Sequence, residues 1–139
     1  PALLAPATSA ERWAGARASW IQARPLHTIT HCGIEELTDE HLRAFAAQPD
    51  GAIFGSNDQA AMHVWHRLAR LGIAIPGQVR LSGFDGDAYG DQVGLTTAMF
   101  DPERLAAAAI DTLERCWNEG REANPEVRIP VKIRIGETS

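Results

Sequence analysis

The chain has 139 residues, room for one domain or for part of a larger one. With 45% hydrophobic and 22% charged residues it excludes a disordered or collagen-like chain, and no apolar run approaches the ~20 residues that span a bilayer. Thirteen basic against eighteen acidic residues leave a net charge of −5, a balance ill suited to gripping a phosphate backbone. Pro1 opens a start with no basic n-region and no small-residue cleavage pattern, so no signal peptide is expected; without an initiator Met, the chain reads as a trimmed piece. Cys32 and Cys116 lie far apart and make no disulfide framework, which fits inert thiols in a reducing compartment and a cytoplasmic location.

Residues 2–5 form a short apolar run, read as a first strand. Thr8-Ser9 then offers an N-cap to a helix over about residues 10–23, and Pro25 stops it. Residues 26–32 (LHTITHC) alternate and are β-rich. Thr38-Asp39 starts a helix with Leu42, Phe45 and Ala46 on one face, ending before Pro49. Ala52-Ile53-Phe54 reads as a buried strand. Ser56-Asn57-Asp58 is a capping cluster for a helix to about residue 71, with Ala61, Val64, Trp65 and Leu68 as its stripe and Gly72 at C′. Residues 79–84 (VRLSGF) are the next strand. Strands alternating with helices imply right-handed βαβ crossovers. The fold class is therefore α/β, a parallel sheet flanked by helices.

After Asp85 the pattern changes. Residues 86–94 read as a polar, Gly-rich loop and residues 95–100 as a short extended stretch. Asp101-Pro102 opens a helix well, with Leu105, Ala109, Leu113, Cys116 and Trp117 as its stripe and Gly120 at its end. Val127, Ile129, Val131, Ile133 and Ile135 then alternate with polar residues and with Pro130. This predicts a strand with one buried face, edged or broken at Pro130.

In an open parallel sheet, ligands bind beyond the carboxyl ends of the strands. Three polar clusters fall there: Ser9 to Arg12, Ser56-Asn57-Asp58, and Asp85 with Gly86-Asp87. Amide, carboxylate and guanidinium at one rim suit a polyhydroxylated small molecule, since Asp accepts twice, Asn donates and accepts, and Arg supplies a donor fork. The plainer alternative is that Ser9 and Asn57 only cap helices and Asp85 only turns the chain. Asp58 and Asp85 would also suit Mg²⁺, but no Gly-rich phosphate loop accompanies them and the single lysine, Lys132, lies near the far end. No HExxH or CxxC spacing gives a metal site; His63 and His66 read as solvated or packed, and the Trp residues as packing. Ser56 lacks a nucleophile elbow, so no catalytic set, no metal and no cofactor is expected, and the chain reads as a non-enzyme.

From Gly51 onward the order of motifs is specific. An apolar strand, Ser-Asn-Asp, a helix, Leu71-Gly72 with Pro76, a strand and Gly83-Phe84-Asp85 follow one another. Then come Leu95-Thr96-Thr97, Arg104-Leu105 with an Ala-rich helix, and a closing stretch over residues 129–139. Together with Arg12-Trp13-Ala14-Gly15, this order resembles the effector-binding domain of the LacI/GalR family of bacterial transcription regulators across nearly the whole chain. The resemblance implies a periplasmic-binding-protein-like fold of two subdomains with a ligand cleft between them. Residues 1–98 would belong to the C-terminal subdomain. Residues 99–130 would be a crossover helix and strand that pack on an N-terminal subdomain absent here, and residues 131–139 the returning strand.

Arg12, Asn57 and Asp85 fall where the family contacts its effector, a sugar or nucleoside-like molecule. Gly86 replaces a second Asp, Gly94 a Pro, and His63 a small residue. Met62, Trp65 and Ala69 form a second apolar stripe on the helix after Asn57, which suggests contact with another chain, the plainer alternative being that Trp65 packs in the core. The resemblance also implies a homodimer, with Met62, Trp65 and Val93 as candidate contacts. DNA would be bound only through a headpiece that this chain lacks, and no membrane is involved. The alternative is a sugar-binding protein of a transporter with the same fold. The orphaned apolar stripes at Leu105, Leu113 and Trp117 are expected to turn onto the chain's own sheet or to exchange with another copy.

Overall fold

The computed structural model describes residues 8–23, 30–119 and 127–139. The elements, in order, are α1 (Thr8–Ala23), α2 (Asp39–Ala46), β1 (Gly51–Phe54), α3 (Asp58–Arg70), β2 (Val79–Asp85), α4 (Ala88–Gln92), β3 (Thr96–Phe100), α5 (Pro102–Glu119) and β4 (Val131–Arg134). The strands form one sheet in the order β1-β2-β3-β4, with β1, β2 and β3 parallel and β4 antiparallel to β3. This is the α/β class expected of the sequence, a parallel sheet with helices to which β4 adds one antiparallel edge strand. The run at residues 2–5 and most of the expected strand at 26–32 lie outside the described residues; Thr30, His31 and Cys32 are not in a strand.

The helix starts follow the capping chemistry. The Thr38 hydroxyl accepts from the His41 amide at 3.1 Å, and His41 answers from its ring, closing a capping box. Asn57 caps α3 and Asp87 caps α4. The short α4 lies inside the stretch read as a loop; five residues are too few to show helical periodicity, and Asp87 was its one local signal.

The core is the seam between α3 and β2. Ala61, Met62, Val64 and Leu68 are buried against Val79, Leu81 and Leu95, while α2 adds Leu42 and Phe45 and β1 adds Ile53. Each large side chain there contributes about 1.5–3 kcal/mol by leaving water. Met62, expected at a dimer contact, is only 2% exposed. That expectation is corrected. Ala61, Met62, Val64 and Leu68 form one broad apolar face, wide enough to reach both β2 and α4.

The carboxyl-terminal segment returns to the sheet. Thr138 is buried: its hydroxyl donates to the Leu81 carbonyl at 2.7 Å and accepts from the Thr96 amide at 2.9 Å, while its carbonyl accepts from the Leu81 amide at 2.7 Å. Arg134 pairs with Asp91 at 3.1 Å, joining β4 to α4. Only residues 131–134 of the expected longer strand are in the sheet, starting directly after Pro130.

Two expectations about the orphaned stripes are overturned. The alternating face of β4 is exposed, with Ile133 at 62%. No residue of α5 is buried, and Trp117 is 90% exposed. The helix does not turn onto the chain's own sheet. A single residue, Asp101, separates β3 from α5, whereas about two to six residues usually carry a helix back over its sheet.

Candidate functional site at the carboxyl ends of the strands

Parallel β1 and β2 end side by side, and Ser56-Asn57 and Phe84-Asp85 emerge together at that rim. Helix α1 brings Arg12 to the same place. Its Nη1 donates to the Ser56 carbonyl at 2.5 Å, its Nη2 lies 3.8 Å from Asp85 Oδ1, and its guanidinium carbon sits 3.8 Å above the Phe84 ring. One guanidinium thus joins three segments through a hydrogen bond, an ion pair and a cation–π contact. The side chains of Arg12 and Asp85 remain about one-third and two-fifths exposed, at 32% and 41%, so the pair faces solvent.

Asp85 has φ 116°, a left-handed backbone that a non-glycine residue rarely adopts. Partial burial pushes its carboxyl above the ordinary Asp range. The Arg12 cation opposes this, and the carboxylates of Asp58 and Asp87 push it further up.

Asn57 stands at the same rim. Its Oδ1 accepts from the Ala60 amide at 2.7 Å, so the capping alternative holds for its oxygen. No hydrogen bond or ion pair joins Asn57 to Arg12 or Asp85 among the described residues. Asp58 turns inward. It is fully buried and accepts from the Gly86 and Asp87 amides and the Thr97 hydroxyl, so it faces protein donors rather than the rim. Among the described residues, no three His, Cys, Asp or Glu side chains are grouped to hold a metal ion.

Three contributors escaped the sequence reading. The Phe84 ring and the Ser56 carbonyl position Arg12, and the Trp13 ring meets His31 with centroids 5.4 Å apart, beside Arg12 in α1. Phe84 was visible inside Gly-Phe-Asp; the other two depend on folding and left no local signal. On the opposite face of α3, His66 hydrogen-bonds Tyr89 at 2.8 Å and meets the Trp65 ring edge-on. Trp65 and Val93 are partly buried against the core.

A cavity of about 400 Å³ lies elsewhere, between α2, Ile53 and residues 30–32. Its floor is Leu37, Leu42, Phe45 and Ile53, and several of its polar groups already have local partners: His41 with Thr38, Glu36 with the Gly33 amide, and Cys32 with the Gly33 carbonyl. Burial first, then the nearby Glu36 carboxylate, pushes the Cys32 thiol up, away from a reactive thiolate. Arg12 and Asp85, by contrast, bring opposite charges together at a solvent-facing rim.

The model of the periplasmic binding protein-like domain matches residues 4–139. The chain belongs to that family. No curated protein matches it in sequence. Among solved structures, it is similar to a periplasmic binding protein/LacI transcriptional regulator from Alkaliphilus metalliredigens complexed with D-xylulofuranose (24% identity, TM-score 0.75, covering 99% of this chain and 56% of that one). It is also similar to the lac repressor dimer bound to operator and the anti-inducer ONPF (19%, 0.78, 99% and 51%). A third is a LacI family regulator from Lactobacillus casei with bound sucrose (19%, 0.71, 99% and 56%). At these identities the likeness establishes the fold. The chain spans a little over half the length of these periplasmic binding protein-like chains.

Proposed function

We propose that the chain is the effector-sensing and dimer-forming part of a LacI/GalR-type repressor, binding a sugar or nucleoside-like molecule at Arg12, Asn57 and Asp85. The observation that carries this reading is Arg12, which meets both the Ser56 carbonyl and the Asp85 carboxylate at the strand ends. The charged fork and carboxylate would bind neighbouring hydroxyls. The motif order and the similarity to regulators crystallised with sugars support the class of ligand.

Residues 1–98 would form one wall of the cleft. Residues 99–130 would pack on a second subdomain, which would cover the exposed faces of α5 and β4, and residues 131–139 would return to the first. A ligand closing such a cleft shifts the population able to hold DNA only by binding the two states differently, and it needs no bond chemistry. The DNA contact would belong to a headpiece outside this chain. Dimerisation would use the α3–α4 surface, with Trp65 and Val93 as contacts and Met62 withdrawn from that role by its burial. Cys32 and Cys116 carry thiols, which supports the cytoplasmic regulator over an exported binding protein of a transporter.

A thermal-shift screen of sugars and nucleosides on the full-length protein tests this. Ligand at ~100 times its Kd stabilises by about 2.7 kcal/mol. Arg12→Ala and Asp85→Ala should abolish the shift. If both variants respond as wild type does, the assignment is wrong.

A further inference from the structure

We propose that Asp58 is the positioning residue of the effector rim: its carboxylate holds the turn that presents Asp85 and ties that turn to β3. This rests on reading Arg12 and Asp85 as the ligand rim. Asp58 Oδ2 accepts from the Gly86 and Asp87 amides, each at 2.8 Å, and Oδ1 accepts from the Thr97 hydroxyl at 2.6 Å. The residue has no solvent exposure. A buried carboxylate is tolerable only when its oxygens are satisfied, and these three donors come from two separate segments.

The backbone is shaped around this carboxylate. Asp85 and Gly86 both have positive φ, 116° and 77°. Their conformation turns the next two amides inward as a small anion-binding nest, with Asp58 as the anion inside it. Gly83 leaves the necessary room, since a Cβ there would lie 2.3 Å from Asp58 Oδ1. Removing the anion takes away the acceptor that holds the two amides after these left-handed residues, and the Asp85 side chain loses part of what fixes its direction toward Arg12. The other oxygen grips Thr97 in the strand that leaves the sheet for α5. A displacement of the Asp85 turn therefore reaches the crossover through one side chain.

The test uses Asp58→Asn and Thr97→Val in the chain, followed by NMR. The amides of Gly86 and Asp87 should exchange with solvent roughly tenfold or more faster in Asp58→Asn, the factor expected for losing a charge-assisted hydrogen bond. The acceleration should be smaller but measurable in Thr97→Val, which keeps their acceptor but releases the oxygen that Thr97 holds. Thr97→Ser, which keeps the hydroxyl, should restore wild-type protection. In Asp58→Asn the Asp85 carboxyl should also titrate at lower pH, because a neighbouring negative charge is gone. Unchanged exchange in Thr97→Val, or an unmoved Asp85 titration in folded Asp58→Asn, overturns the proposal. If Asp58→Asn does not fold, the Thr97→Val and Thr97→Ser pair decides it alone. Failure of every sugar in the thermal-shift screen, with the exchange and titration effects present, removes the ligand reading and leaves Asp58 as the residue that sets Asp85.

Discussion

Replacing Gly83 by Ala places a methyl group where the Asp58 carboxylate now sits. The added Cβ would lie 2.3 Å from Asp58 Oδ1, 3.1 Å from Leu95 Cδ2 and 3.2 Å from Asp58 Cα, against ordinary contacts of 3.4–4 Å. Relief requires the carboxylate to rotate off the Thr97 hydroxyl, and losing a hydrogen bond to a charged group costs about 1.5–3 kcal/mol. Crowding against Leu95 adds about 1–3 kcal/mol. Stiffening the unfolded chain by Gly→Ala returns only about 0.4–1 kcal/mol. The net loss is about 2–5 kcal/mol, and at roughly 3–5 °C per kcal/mol for a chain of this size the melting point should fall by about 6–25 °C. Thermal unfolding followed by circular dichroism reads it. A midpoint within two or so degrees of wild type would refute the packing of Asp58 described above.

Gly15→Ala is the opposite case: nothing lies within 4 Å of an added Cβ, so helix α1 should gain about 0.5–1 kcal/mol, seen as greater helical ellipticity. The raised pKa of Asp85 means that its contribution to stability is full below the ordinary Asp range and is lost as pH rises through the raised value. Asp85→Asn should therefore melt above wild type at neutral pH and converge with it in acid. Asp39 is held below the ordinary range chiefly by its hydrogen bond from Arg67, so its stabilisation is present above that range and disappears as pH falls through the lowered value. Asp39→Asn should melt below wild type at neutral pH, with the gap closing in strong acid.

The elements with long apolar periods were legible in the chain itself. The helices α2, α3 and α5, the strands β1 and β2, and the break before β4 at Pro130 all follow from local chemistry. So did the placing of Arg12 and Asp85 at one end of the sheet, because parallel βαβ order sends every strand's carboxyl end the same way. What local chemistry leaves open is direction. Asn57 and Asp58 are adjacent and equally polar, yet one caps its helix at the rim and the other is buried beneath it. Only the position of Gly83, Gly86 and Thr97 around that helix start decides between them. Met62 was similarly ambiguous, since a helix covered by both a strand and a short helix buries more of its circumference than one stripe shows. The bare stripes of α5 and β4 were read correctly as apolar but wrongly as turned onto the chain's own sheet; periodicity reports which face seeks a partner and not whether this chain supplies it.

In the proposed function, Arg12, Asn57 and Asp85 act as one recognition surface. The most direct measurement is an NMR titration with the sugar that gives the largest thermal shift, following the Arg12 side-chain N–H, the Asn57 side-chain amide and the Asp85 carboxyl carbon. The account predicts that all three move along a single saturation curve. Shifts confined to His31, Leu42 and Phe45 in the α2 cavity, or to the exposed face of α5, would contradict it.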